Sequence, residues 1–187
     1  SFKDVEFVKY LKPIGMYGVN KILISMYTTF NVLYLGLACN DIEVGYYTTA
    51  NQLFAILLGV ISAFTSVILP RMASLAAGNN IKEFNNNVSK SFSLIFSVSI
   101  PICIGGVLLS PQIIGILAGS GYEGAILPMR VIMPVIVLTG TAQVCIMQVL
   151  IPLKKDKTVL YASVIGAIVA IVLNIFFVGR LGAIGSA

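Results

Sequence analysis

The feature that most constrains this chain is a series of five long apolar runs. They cover residues at about 14–38, 44–70, 91–118, 124–152 and 158–178. A transmembrane helix needs about 20 mainly apolar residues, so each run is long enough to cross a bilayer. Because hydrocarbon offers the backbone no hydrogen-bond partners, the runs are predicted to be helices even where β-branched residues are dense. The predicted fold is an all-α, polytopic transmembrane bundle of about five spanning helices.

The composition leaves no room for a soluble domain. Hydrophobic residues make up 58% of the chain and charged residues 10%, against about 25% charged in ordinary soluble domains. We therefore treat residues 1–187 as a single transmembrane region. Because the chain starts at Ser1 and stops in a Gly-rich stretch, we expect it to be part of a longer protein. The charged segment 1–13 is predicted to form a short helix on the membrane surface.

Lysine and arginine are distributed unevenly between the predicted loops. The loops on one side carry nine basic residues and those on the other side carry one: Lys3, Lys9, Lys12, Arg71, Lys82, Lys90, Lys154, Lys155 and Lys157 against Arg180. Short cytoplasmic loops are enriched in these residues, so the start of the chain is predicted to be cytoplasmic. This placement favours lipid head groups over nucleic acid as the partner of the basic residues.

The longest connector, at about 71–90, has an amphipathic pattern. After the turn signal GNN, Ile81, Phe84 and Val88 recur at helical spacing, with Lys82 and Lys90 on the other side. The pattern predicts an interfacial helix at about 80–90, lying on the membrane surface before the third span. A solvated loop is the alternative.

The acidic residues do not lie where a membrane enzyme would need them. All seven fall in or beside connectors, and the chain has no histidine; the acids are Asp4, Glu6, Asp41, Glu43, Glu83, Glu123 and Asp156. Proton relays and hydrolytic sites use such groups in the interior. The residues therefore predict no enzyme active site, no cofactor and no metal site in this stretch.

Two basic residues lie inside apolar runs, Lys21 in the first and Arg130 in the fourth. A cation in the membrane usually faces a wet cavity or a partner. Both are candidate substrate-binding residues of a cationic cavity, which favours a negatively charged substrate group. Alternatively, Lys21 extends to the lipid head groups, and Arg130 pairs with Glu123.

Polar residues in three runs are candidates for lining the same cavity. They are Asn20 and Asn31 in the first run, Asn51 and Gln52 in the second, and Gln148 in the fourth. Pro128 and Pro134 make the helical phase of the fourth run uncertain. Contacts between helices are the alternative role for such polar side chains.

Two long stretches carry a family resemblance. The first is VGYYTTANQLFAILLGVISAFTSVILPRMASL followed by GNN. The second is GYEGAILPMRVIMPVIVLTGTAQVCIMQVLIPLKKDKTVLYASVIGAIVAIVLN, ending in GRLGAIGSA. In order and spacing they resemble the bacterial Wzx-type polysaccharide flippases of the multidrug/oligosaccharidyl-lipid/polysaccharide exporter superfamily.

The resemblance implies a two-lobed transporter in the bacterial cytoplasmic (inner) membrane, with this chain forming most of the C-terminal lobe. Its expected cargo is an oligosaccharide linked to undecaprenyl pyrophosphate, moved from the cytoplasmic to the outer leaflet for O-antigen, capsule or exopolysaccharide synthesis. Lys21 and Arg130 fit the cationic cavity of that family. A polysaccharide polymerase or chain-length regulator is an expected partner.

Three alternatives remain open at this point. A multidrug or cation antiporter of the same superfamily would need an acid within the membrane, which these residues lack. A lipid II flippase would differ in the sugar carried. A membrane-embedded glycosyltransferase or polymerase should have catalytic residues in a sizeable outer loop, whereas the predicted outer loops are short.

Overall fold

The computed structural model describes residues 7–187, without the side chains of residues 7–14, 16 and 17. Helices account for nearly all of this part of the chain, and it contains no strand. The α-helices are α1 (Phe7–Ala38), α2 (Asp41–Ala77), α3 (Ile81–Leu108), α4 (Ser110–Leu117), α5 (Ile126–Ile132), α6 (Val135–Val144), α7 (Asp156–Leu181) and α8 (Ala183–Ser186). A 3-10 helix (Glu123–Ala125) precedes α5, and a π-helix (Cys145–Leu150) follows α6.

Four of these helices are long and apolar enough to cross a membrane: α1 from Gly18, α2, α3 and α7. A fifth candidate span is broken, since Glu123–Ile132 and Val135–Leu150 meet at an angle of 42°. Pro134 lies at the break, where its missing N–H and its ring interrupt helical hydrogen bonding. These long apolar helices confirm the predicted all-α, polytopic helical bundle.

The predicted surface helices are not separate elements in the described residues. Residues 81–90 form the first turns of α3, which continues to Leu108, and residues 7–13 belong to α1, while residues 1–6 lie outside the described part. Asn80 caps α3 by accepting from the Glu83 backbone N–H at 3.3 Å, and nothing interrupts the helix afterwards. At 28 residues, α3 is roughly 42 Å long, so its start can extend beyond the hydrocarbon.

The main core lies where α2 and α3 pack on the broken span. Ile61, Ile95, Met133 and Ile136 are buried there. Two glycines allow the close approach: a Cβ on Gly106 would lie 2.6 Å from Met133 Sδ, and one on Gly140 would lie 3.0 Å from Ile95 Cγ2. α1 packs mainly along α7, so the described chain forms two neighbouring helical groups joined by α2.

Candidate functional site

A cavity lined by three charged side chains lies at the end of the bundle where α2 begins and α7 ends. Its volume is about 420 Å³. It is lined by residues that include Glu43, Tyr46, Glu123, Arg130, Leu181 and Ile184. We call it the Arg130 cavity. The charged side chains in this set are two carboxylates and one guanidinium, which gives a formal charge of −1 at neutral pH.

Arg130 is fixed by a hydrogen bond to the first residue of α4. Its Nε donates to Ser110 Oγ at 2.9 Å, and Ser110 Oγ donates to the Val107 carbonyl at 3.0 Å. Ser110 is fully buried, whereas Arg130 itself is exposed. The two terminal guanidinium nitrogens are thus left to donate into the cavity.

The alternative pairing of Arg130 with Glu123 does not occur among the described residues. The Glu123 carboxylate accepts from the Gly121 backbone N–H, with oxygen distances of 3.2 and 3.1 Å. The ion pair in the described part of the chain joins Arg71 and Glu83, at the opposite end of the bundle. The Glu123 carboxylate therefore makes no ion pair with Arg130, and its oxygens keep lone pairs that can accept further hydrogen bonds.

Glu43 connects the start of α2 to the chain segment after α7. Asn40 caps α2 by accepting from the Glu43 backbone N–H at 2.9 Å. The Glu43 side chain accepts from the Ala183 N–H at 2.7 Å. Gly182 makes this approach possible, because its φ is +57° and an added Cβ would lie 2.7 Å from Glu43 Oε2.

Tyr46 forms the aromatic wall of the cavity. Its ring packs edge-on against Tyr122, with centroids 6.2 Å apart and planes at 77°. Gly124 lies so close that an added Cβ would be 2.6 Å from Tyr46 Cζ. A second cavity of about 420 Å³, lined by Asp41 and Tyr122 among others, also borders Tyr46. The ring therefore separates two polar cavities.

The structure does not bring Lys21 and Arg130 together. Lys21 is exposed on α1, and the helical rise places it roughly 25 Å along the axis from the Ala38 end. That end adjoins the start of α2 and hence the Arg130 cavity. Within the described part of the chain, Lys21 and Arg130 therefore lie far apart along the bundle.

The predicted polar lining residues have different environments. Asn31 Nδ2 donates to Tyr47 Oη at 2.9 Å and to the Ser186 carbonyl at 3.4 Å, so it connects helices. Asn20 is half-buried, and its buried Oδ1 has no partner among the described residues. Asn51 is half-buried and Gln52 is exposed on α2.

Gln148 lies in the π-helix and is fully buried. Neither its amide nitrogen nor its amide oxygen has a hydrogen-bond partner in the described part of the chain. A buried amide without partners costs free energy, and π-helical turns often occur at functional sites. Among the predicted lining residues, Gln148 is therefore the one that is fully buried with neither amide atom hydrogen-bonded in the described part of the chain.

Sequence reasoning did not single out Gln143, whose side chain connects α6 to α2. Its Nε2 donates to Ser62 Oγ at 2.9 Å, and its Oε1 accepts from Thr65 Oγ1 at 3.2 Å. Together Ser62, Thr65 and Gln143 form what we call the α2–α6 polar seam. An amide within an apolar run was the available signal. The break at Pro134 hid the face on which it lies.

The charged side chains of the Arg130 cavity are arranged for binding a polar ligand. No cluster of His, Cys, Asp or Glu able to hold a metal occurs within the described residues. The charged groups of the Arg130 cavity are each held by a neighbouring hydrogen bond. Such groups can bind and orient a polar ligand.

Comparison with known proteins finds relatives that are named as flippases or transporters of glycans. The chain is 25% identical over 161 residues to a protein of Haloferax volcanii named as a low-salt glycan biosynthesis flippase, covering 86% of this chain and 34% of that protein. It is 27% identical over 128 residues to an Escherichia coli K12 protein named as an O-antigen transporter, covering 68% and 31%. A Shigella flexneri protein named as an O-antigen transporter is 30% identical over 82 residues, covering 43% and 19%.

The chain thus spans about a third of the length of the first two relatives. Comparison with solved structures gave no match. The family model described as "Polysaccharide biosynthesis protein" matches residues 4–127, which is most of the chain and includes α2, α3 and the start of the broken span. This polytopic helical chain belongs to the polysaccharide biosynthesis protein family.

Proposed function

We propose that the protein containing this chain is a flippase for a lipid-linked oligosaccharide. The observation that carries the proposal is the alignment of 86% of the chain with a relative named as a glycan biosynthesis flippase. The proposed cargo is an oligosaccharide on undecaprenyl pyrophosphate. It moves from the cytoplasmic to the outer leaflet for O-antigen, capsule or exopolysaccharide assembly.

The helical arrangement supports a transport role on physical grounds. A pyrophosphate and its sugars lose strong hydration in hydrocarbon, so a protein must provide a polar route. The broken span, the α2–α6 polar seam and the buried amide of Gln148 place polar groups within otherwise apolar helices. Discontinuous helices of this kind occur in transporters that expose a site alternately to the two sides.

The two basic residues have separate roles in this proposal. Lys21 is the candidate for the pyrophosphate, because it lies on an exposed part of α1 that another lobe can face. Arg130 acts toward the other end, in a cavity that also holds Glu43 and Glu123. In this proposal they are two binding positions along one route.

Orientation and partners are part of the same proposal. Arg71, Lys82 and Lys154 lie at or near the ends of helices that meet opposite the Arg130 cavity. We place that end in the cytoplasm, on the positive-inside rule, in a bacterial cytoplasmic membrane with membrane lipids around it. A polysaccharide polymerase or a chain-length regulator is the proposed protein partner.

A drug or cation antiporter is the second candidate function. It would use an acid within the membrane, whereas the acids Asp41, Glu43, Glu83 and Asp156 all lie in the first turns of their helices. A glycosyltransferase or polymerase is less favoured, because the connectors between the described helices are short. A lipid II flippase would differ in the sugar carried.

Complementation of a flippase-deficient strain by the full-length gene tests the proposal. The wild-type gene should restore surface glycan, and Lys21→Ala should reduce it by about tenfold, since losing one charge-assisted contact corresponds to that change. Arg130→Ala is tested alongside, and Lys90→Ala, an exposed residue of α3, is the matched control. Normal glycan from both Lys21→Ala and Arg130→Ala would remove the role of the bases. Failure of the wild-type gene with every matched glycan, together with drug resistance, would favour the antiporter.

A further inference from the structure

We propose that the Arg130 cavity is a carbohydrate subsite that binds an uncharged, hydroxyl-rich sugar of the cargo rather than its pyrophosphate. This inference rests on the proposed function and gives it a location. The juxtaposition of Glu43, Tyr46, Glu123 and Arg130 around one cavity carries it.

The hydrogen-bonding groups of the cavity match sugar hydroxyls. A hydroxyl both donates and accepts, so neighbouring hydroxyls pair with a carboxylate and a guanidinium side by side. Arg130 uses Nε for Ser110 and keeps its terminal nitrogens as donors. Glu123 binds a single backbone N–H through both oxygens, and Glu43 binds the Ala183 N–H. Both carboxylates retain lone pairs that can accept from a ligand.

The charge of the cavity argues against other ligands. The two carboxylates outnumber the one guanidinium, and a pyrophosphate would therefore be repelled more than attracted. A divalent cation is disfavoured as well, because the acids in the described residues are not gathered as a metal site and Arg130 adds a positive charge. A neutral polar ligand can form hydrogen bonds with all three charged side chains, and none of them repels it.

The aromatic wall supplies what a sugar ring needs in addition to hydrogen bonds. The faces of sugar rings carry C–H groups, which pack on the negative face of an aromatic ring. Tyr46 is held for this by Tyr122 at 6.2 Å and by the close backbone of Gly124. The volume of about 420 Å³ lies in the range of small-molecule sites, and the apolar side chains of Leu181 and Ile184 line it as well.

Binding to the purified full-length protein in nanodiscs tests the subsite. The probes are the free oligosaccharide released by mild acid from the cargo, inorganic pyrophosphate, and tetraphenylphosphonium as an organic cation. Calorimetry with the wild type should show oligosaccharide binding. Glu123→Gln and Tyr46→Leu should each weaken it by about tenfold, the change expected for one charged hydrogen bond or one stacked ring. Pyrophosphate binding should be unchanged.

The variants keep the test independent of folding. Glu123→Gln can still accept from the Gly121 N–H, and Glu83→Gln is the matched control, since Glu83 is also a hydrogen-bonded carboxylate but lies at the opposite end. Equal oligosaccharide affinity in wild type, Glu123→Gln and Tyr46→Leu would overturn the subsite, as would no binding to the wild type.

Parallel complementation separates this failure from a failure of the proposed function. Restored surface glycan by the wild type, with unaffected sugar binding in the variants, overturns the subsite alone. No restoration, with tetraphenylphosphonium bound in the Arg130 cavity and lost in Glu123→Gln, overturns both.

Discussion

The two ends of the bundle use charge in different ways. At the Arg130 cavity, Glu43 and Arg130 are each held by a specific hydrogen bond and line one open cavity. At the opposite end, Arg71 and Glu83 form an ion pair with side chains 64% and 43% exposed, beside a surface rich in lysine. The first arrangement fixes groups for a ligand. The second is suited to lipid head groups and orientation.

The largest expected effect concerns the placement of the two ends on opposite sides of the membrane. Cys39 lies in the turn between α1 and α2 and is exposed, and Lys155 immediately precedes α7. In full-length protein lacking other cysteines, a membrane-impermeant maleimide should label Cys39 from outside intact cells. A Lys155→Cys variant lacking Cys39 should be labelled only after the membrane is opened. Labelling of both cysteines from the same side would show that the two ends do not lie on opposite sides of the membrane and that the span count is wrong.

The next effect concerns the turn that closes the Arg130 cavity. Gly182→Val should destabilise the protein by about 2–4 kcal/mol, because the positive φ strains a branched residue and its Cβ meets Glu43. Thermal unfolding in detergent would measure it. Gly78→Ala, at the C-terminal cap of α2 where φ is −79°, is the control and should have a much smaller effect. Equal losses from both changes would show that the turn is not specifically constrained.

A smaller effect is expected from removing the carboxylate that binds this turn. Glu43→Ala leaves the backbone N–H of the buried Ala183 without its acceptor and should cost about 1–3 kcal/mol. The loss of stability relative to wild type should depend little on salt, because the bond that is removed joins a carboxylate to a backbone N–H and not to a cation. A shift below the error of the measurement would indicate that water replaces the carboxylate.

The smallest effect is expected at the opposite end. Arg71→Ala removes an exposed ion pair and should change stability by less than about 1 kcal/mol. Because salt screens exposed charges, the difference from wild type should shrink further in 1 M salt. A large, salt-independent loss would mean that this end is packed by other parts of the full-length protein.

The helical character of the chain followed from sequence because the membrane leaves few options. Runs of apolar residues must be helices in hydrocarbon. The helices α2 and α7 overlap the runs at 44–70 and 158–178, whereas α3 begins before the run at 91–118 and the end of that run forms α4. The helix at about 80–90 was harder to predict correctly, because an amphipathic pattern does not show whether a helix ends before the next span or continues into it. Asn80 caps one continuous helix instead.

The candidate site was predicted less well, for reasons that are specific to its residues. Arg130 was found because a cation in an apolar run is unusual. Glu43 was set aside as a connector acid, although its partner Ala183 lies 140 positions later. Gln143 was missed because Pro128 and Pro134 made the helical phase of the fourth run uncertain, and the span is bent by 42° at Pro134.

The sequence by itself determined that this chain crosses the membrane several times, that it lacks histidine, and which residues are unusual in an apolar setting. Only the tertiary structure decided that Lys21 and Arg130 lie far apart and that Arg130 shares its cavity with two carboxylates and a tyrosine. The physical reason is that burial in hydrocarbon acts on each segment alone, whereas a cavity depends on the angles and breaks by which distant helices meet.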